Sequence, residues 1–155
     1  MKAAIRSSRK PHLVAIPSVY STNTVHPSIV AVHGLNGHCE KTWTSGNDAN
    51  SVNWLRDLLP HDLRKARILS WGYDANTHSR SRVSCQYLFD HAPTLVSDLC
   101  LKRQITDVQS GQTRHQTKAK LRQTRKRPIV FVAHSLGGII VKSAGDIVKG
   151  TWTLD

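Results

Sequence analysis

Pro128-Ile129-Val130-Phe131-Val132-Ala133-His134-Ser135-Leu136-Gly137-Gly138-Ile139-Ile140-Val141 is the stretch on which the reading of this chain turns. Pro128–Ala133 is short, apolar and rich in β-branched residues, the composition of a buried strand in a parallel sheet. Beyond it, Leu136, Ile140, Ala144 and Val148 fall on one stripe of a helix, with Gly150 as its expected stop. Ser135 stands between the two, on a sharp strand-to-helix turn. Such a turn brings backbones close and needs small residues two places before and two after the serine; here they are Ala133 and Gly137. This is the context of a nucleophile elbow, in which a strained turn projects a serine hydroxyl above the sheet edge. The helix N-terminus adds a field that favours an oxyanion, and the Leu136 N–H can donate to it. The alternative is a helix-capping turn with Ser135 as an ordinary N-cap.

Two similar runs precede this one. Ser28–His33 (SIVAVH) ends at Gly34, and Ala66–Trp71 (ARILSW) ends at Gly72. Between them Gly34–Asn50 reads as polar loop. Ser51 is placed to cap a helix in which Trp54, Leu55, Leu58 and Leu59 share a face and which Pro60 stops. Helical spacing returns at Leu88, Ala92, Leu95, Val96, Leu99 and Cys100, with Pro93 expected to start a new helix or to kink this one. Leu13–Tyr20 has the residues of an edge strand, but Pro17 demotes it. The order strand, helix, strand, helix, strand, helix predicts an α/β fold with a mostly parallel sheet, flanking helices and right-handed crossovers. The expected organisation is a basic flexible leader over 1–27, a partial α/β domain over 28–150 and a tail over 151–155. Within the domain, 102–127 reads as a basic insert or loop.

The 155 residues suffice for one domain with a core. The net charge of +12 is concentrated: Lys102–Arg127 holds nine Lys/Arg and one acid, and no acid precedes Glu40. The stretch Lys102–Arg127 could meet an anionic membrane surface, but it has no aromatic residue on which bases could stack, which argues against nucleic acid as the partner. The bland reading is a solvated basic loop. Three cysteines far apart, Cys39, Cys85 and Cys100, fit a reducing compartment and no disulfide framework. The nine histidines form no HxxxH or HExxH pattern, so neither a metal site nor a cofactor is expected. No stretch approaches the ~18 apolar residues of a transmembrane helix.

A second constellation, His33-Gly34-Leu35-Asn36-Gly37, follows the first strand. There a glycine lets the backbone approach a substrate, and the Leu35 N–H can supply the second oxyanion donor; an ordinary glycine turn is the alternative. The strings VAVHGLNGHCEKTWTS, NWLRDLLP, ILSWGYDA and PIVFVAHSLGGIIVKSA together resemble the fungal lipase-like serine esterases of the α/β-hydrolase superfamily. That group takes in the serine-active-site-containing proteins of mitochondria and endoplasmic reticulum, and hydrolase domains at the N-terminus of NACHT, ankyrin or tetratricopeptide proteins. The likeness covers about residues 28–101 and 128–144. It implies an α/β-hydrolase fold whose C-terminal strands are missing here. It also implies an intracellular setting in cytoplasm, mitochondrion or endoplasmic reticulum, and a lipid or acyl-ester substrate.

On that resemblance Ser135 is the nucleophile, and Leu35 and Leu136 give oxyanion N–H groups. Gly34, Trp43, Trp71 and Tyr73, near the strand C-termini, bind substrate; core packing is the other reading of the aromatics. The family's order is Ser, then Asp or Glu, then His. After Ser135 the acids are Asp146 and Asp155 and there is no histidine. The catalytic His is therefore expected to be absent, and the chain alone inactive. His33 is the first candidate substitute, with His38 and His78 in loops behind it; His134 is expected to pack beside the sheet, and Asp74 to shape its loop. The competing function is a non-catalytic hydrolase-like binding module or a fragment of a larger signalling protein.

Overall fold

The computed structural model describes residues 11–16, 27–47, 50–75, 85–108 and 127–152. In chain order the strands are β1 (His12–Ala15), β2 (Ser28–Val32), β3 (Thr44–Ser45), β4 (Val52–Asn53), β5 (Arg67–Gly72) and β6 (Ile129–Ala133). The helices are α1 (Leu59–Asp62), α2 (Cys85–Val108) and α3 (Leu136–Trp152). A single π-helical turn, Trp54–Leu58, leads into α1.

The main sheet has the order β1-β5-β2-β6. Strands β5 and β6 run parallel to β2 on either side of it, with Val30 opposite both Leu69 and Phe131. Every residue of β2 and β5 is buried, as their unbroken apolar runs require of strands covered on both faces. Alternation divides the core. Val30, Val32, Leu69 and Trp71 point to the face covered by α2 and α3, where they meet Leu95 and Ile140. Ala31 and Ile68 point to the other face and meet Trp43 and Leu55. A mostly parallel sheet with helices on both faces is thus an α/β arrangement, as the element order predicts.

Several expectations are corrected. Within 1–27, expected to be leader, His12–Ala15 forms an antiparallel edge strand on β5. The strand ends before Pro17, so the missing proline N–H falls outside the ladder. The Gly34–Asn50 loop contains a 3₁₀ turn, Lys41–Trp43, and the short hairpin strand β3. The cap of the following helix is Asn53, not Ser51: its Oδ1 accepts from the N–H groups of Leu55 (3.1 Å) and Arg56 (3.2 Å). Pro60 lies in the first turn of α1, where its lack of an N–H costs nothing, and does not stop the helix. The wide π turn rotates Leu58 outward to 55% exposure while Leu55 stays fully buried.

Pro93 interrupts nothing: α2 runs through it, so residues 102–108 are helical and not loop. The Thr94 hydroxyl donates to the Asp90 carbonyl at 2.9 Å in the same turn. Helix α3 continues past Gly150 to Trp152, into the expected tail, and of its apolar stripe Ile140 and Ala144 are buried while Val148 is 42% exposed. Strand β6 is the sheet edge among the described residues, and Val130 is half exposed. Residues 1–10, 17–26, 48–49, 76–84, 109–126 and 153–155, and with them Asp155, most of the basic segment and His78, lie outside the described residues.

Candidate functional site

The chain leaves β2 toward the face carrying α1 and leaves β6 toward the face carrying α3. Adjacent parallel strands whose connections diverge in this way open a crevice at their C-terminal ends. The two sequence constellations lie there side by side, because Val32 is paired with Ala133.

Ser135 has φ = 51°, in the left-handed region. A serine held there costs about 1 kcal/mol or more, so the surrounding structure must impose it. An N-cap residue ordinarily has extended backbone, so this angle separates Ser135 from a simple cap. The imposition comes from two glycines. A Cβ on Gly34 would lie 2.7 Å from the His134 carbonyl oxygen and 2.8 Å from Ser135 Cβ. A Cβ on Gly137 would collide with the Val32 carbonyl oxygen and lie 2.6 Å from that of His33. Each loop therefore presses a glycine against the other, and the His134 N–H donates to the Val32 carbonyl at 3.0 Å. Gly138 meets nothing, and Ala133 is exposed, so neither of these two small residues is demanded by close contact.

Ser135 is exposed at the turn. The N–H groups of Gly137 and Gly138 are used by the carbonyls of His134 and Ser135. That leaves the Leu136 N–H as the free donor at the start of α3. On the other loop Gly34 is buried and Leu35 is 45% exposed. Gly37 N–H donates to the Gly34 carbonyl at 3.0 Å, closing a β-turn in which Asn36 takes φ = 54°.

The aromatic residues expected to bind substrate are core. Trp71 is fully buried and its indole N–H donates to Asp98 Oδ2 at 2.9 Å. Trp43 is buried on the opposite face of the sheet, edge-on to Trp54 at 6.0 Å. Tyr73 is buried just beyond the C-terminal end of β5, its hydroxyl donating to the His33 carbonyl at 3.0 Å. The strand period explains this: Leu69, Trp71 and Tyr73 continue one alternation onto the face that α2 covers.

His33 is no substitute base. It is buried, stacked on Tyr73 with centroids 4.4 Å apart and planes 5° from parallel. Its Nε2 accepts from the Tyr73 N–H (3.3 Å), and its Nδ1 lies 3.0 Å from the Gly34 carbonyl. Burial lowers its pKa, against the bond to Gly34, with His38 and His91 adding to the lowering. His38 turns its Nδ1 to the N–H groups of Glu40 (3.1 Å) and Lys41 (3.5 Å). His134 is exposed and not packed against the sheet, because the turn that carries it stands above the sheet's end. Asp74 is half-buried after β5, and Asp146 is exposed on α3.

Sequence reasoning missed His91. It lies on α2, buried, 4.6 Å from the Tyr73 ring and edge-on to Trp71 at 6.2 Å. Its pKa is lowered by burial, against the pull of Asp90 and Asp74, and burial pushes the Tyr73 phenol up to about 12. The helical spacing that marks Ala92 and Leu95 as core also marks His91, one residue before Ala92 and one helical turn before Leu95, as a flank of that face. Among the described residues no group of three His, Cys, Asp or Glu could hold a metal ion, and no helix is long and apolar enough to cross a membrane. No family model, curated protein or solved structure matches this chain.

Proposed function

We propose that this chain is a serine hydrolase domain of the α/β-hydrolase type, similar to the fungal lipase-like serine esterases, acting on a lipid or acyl ester. Ser135 is the nucleophile, and the N–H groups of Leu35 and Leu136 are the oxyanion donors. The observation that carries this reading is the left-handed φ of Ser135 at the β6–α3 turn, with Gly34 pressed against it. A helix cap needs no such strain, whereas a nucleophile that must stand clear of the sheet beside a second backbone donor does. In the reaction Ser135 Oγ would attack the ester carbonyl and pass its proton to a base, the carbonyl π electrons moving onto the oxygen between the two N–H groups; collapse of this adduct would release the alcohol and leave an acyl group on Ser135 for water to remove. The exposed Leu35 side chain, beside the expected oxyanion position, suits an apolar acyl or lipid group.

The test is covalent labelling of the full chain with a fluorophosphonate, which reports an activated serine. Ser135 is expected to be labelled, slowly because no histidine follows it in the sequence to serve as its base, and Ser135→Ala to lose the label with its circular dichroism unchanged. One observation favours the second reading, a non-catalytic binding module. Among the described residues no hydrogen bond joins Ser135 Oγ to an imidazole, and His33, the nearest candidate in sequence logic, has both ring nitrogens engaged elsewhere. Folded protein that takes no label would move the assignment to that reading.

A further inference from the structure

The oxyanion donor assigned to Leu35 belongs to the peptide unit between Gly34 and Leu35. A trans peptide is planar, with its C=O and N–H on opposite sides, so whatever holds the Gly34 oxygen also aims the Leu35 N–H. Two groups hold that oxygen: the Gly37 N–H at 3.0 Å and His33 Nδ1 at 3.0 Å. A carbonyl oxygen only accepts, so His33 must carry its proton on Nδ1 to make this bond. What fixes the proton there is the other ring nitrogen. His33 Nε2 faces the Tyr73 N–H at 3.3 Å, and a backbone N–H only donates, so Nε2 must be the unprotonated acceptor. Tyr73 then holds His33 at two further places. Its hydroxyl donates to the His33 carbonyl at 3.0 Å, which fixes the adjoining peptide, and its ring lies flat on the imidazole. Behind it the Trp71 ring stacks at 5.0 Å and His91 closes the side at 4.6 Å. The same β5 loop reaches the turn once more, through the Asn36 N–H donating to the Ala75 carbonyl at 2.9 Å.

We propose that Tyr73 is a positioning residue for the oxyanion site: by setting the tautomer and the place of His33, it sets the direction of the Leu35 N–H. Neither ring touches substrate. The chain of cause runs from the Tyr73 N–H to His33 Nε2, from His33 Nδ1–H to the Gly34 oxygen, and across the peptide to the Leu35 N–H. This rests on reading Ser135 as the nucleophile.

Two measurements test it, the first needing no catalysis. Nitrogen-15 spectra of the imidazoles in the unmodified chain at pH 7.5 should show His33 neutral, with the proton on Nδ1. A proton on Nε2, or a charged ring, overturns the proposal. The second is the rate of fluorophosphonate labelling at Ser135. Tyr73→Phe keeps the ring stack and loses only the hydroxyl, and labelling is expected to slow about tenfold. His33→Phe keeps the ring packing and loses the Nδ1 donor, and about a hundredfold loss is expected, the size seen when one oxyanion donor is lost. His33→Asn restores a donor near the Nδ1 position and should recover part of that loss, which a role confined to packing would not produce. Labelling of either Tyr73→Phe or His33→Phe at the wild-type rate overturns the proposal. If the wild-type chain takes no label while His33 shows the stated tautomer, the hydrolase reading of Ser135 fails, and the assigned role of Tyr73 fails with it.

Discussion

Gly137 and Gly138 are neighbours of identical chemistry in opposite surroundings. Gly137 faces two backbone carbonyls, those of Val32 and His33, which belong to the central strand and the turn after it and have nowhere to go. Gly138 faces open space within the first turn of α3. Gly137→Ala is therefore expected to destabilise the fold by about 3 kcal/mol, the upper range for forcing a methyl into a filled site. Gly138→Ala is expected to stabilise it by up to about 0.8 kcal/mol, the helix preference of alanine over glycine. Urea denaturation midpoints of the two variants check both signs in one experiment. Equal effects would mean that the two loops do not interlock as described. The pair also limits what the string Ser-Leu-Gly-Gly tells a reader: four letters do not say which glycine is required, because that depends on a strand a hundred residues earlier in the chain.

At the scale of elements, the short turn between β4 and α1 shows where local reading stops. Ser51 and Asn53 are both good cap residues, and the sequence offers no way to choose. The fold chooses Asn53 because only there can one side chain serve both ends of the turn. Its Oδ1 accepts two helix N–H groups, while its Nδ2 donates to the Glu40 carbonyl (3.2 Å) and to Thr44 Oγ1 (3.0 Å). Its own N–H donates to Asp57 Oδ2 at 2.8 Å; the Arg56 guanidinium, and after it this bond, hold the Asp57 pKa down. Asn53→Ala is expected to cost about 2 kcal/mol, the high end for a lost cap, since buried partners are left behind. Ser51→Ala, at an exposed site, is expected to stay within about 0.5 kcal/mol of the wild type. Thermal melts of both variants test the assignment. The same distinction accounts for the rest of the sequence reading. Strands β2, β5 and β6 and helix α3 were legible because a run of apolar residues of fixed period is a local signal. For Trp71 and Tyr73 the sequence places both at the C-terminal end of β5 but leaves substrate binding and core packing open, because the period that puts them on one face does not say that α2 covers it. Pro93 by itself predicts a new helix start or a kink, yet α2 runs through it, because packing of Ala92 and Leu95 against the sheet outweighs one lost helix bond.

Among the described residues two buried imidazoles, His33 and His91, pack in one cluster of rings, and this makes the stability of the molecule a function of pH. His33 faces Gly34 and His38 from its own loop, Tyr73 from the end of β5, and His91 from α2; His91 is also near Asp90 and Asp74. Burial lowers both pKa values below the ordinary 6.5. The sign follows from proton counting. Just below pH 6.5 the unfolded chain binds protons at these two positions that the folded chain refuses, so stability rises with pH in that range. Their contribution is complete above 6.5 and is lost as the pH falls through the lowered, folded values. The melting temperature is expected to be level between pH 7 and 8 and to fall steadily below 6.5. A second cause acts in the same direction, because a chain of net charge +12 gains further positive charge in acid and repels itself more. Salt separates the two. Self-repulsion between exposed charges is screened at about 0.15 M salt and more so at 1 M, whereas the burial of an imidazole is not. If the stack is the main acid-sensitive element, the fall in melting temperature should persist in high salt and should shrink in His91→Phe, which fills the same ring site with a group that takes no proton. A fall that vanishes in salt, with His91→Phe behaving as the wild type, would assign the acid sensitivity to the basic surface instead.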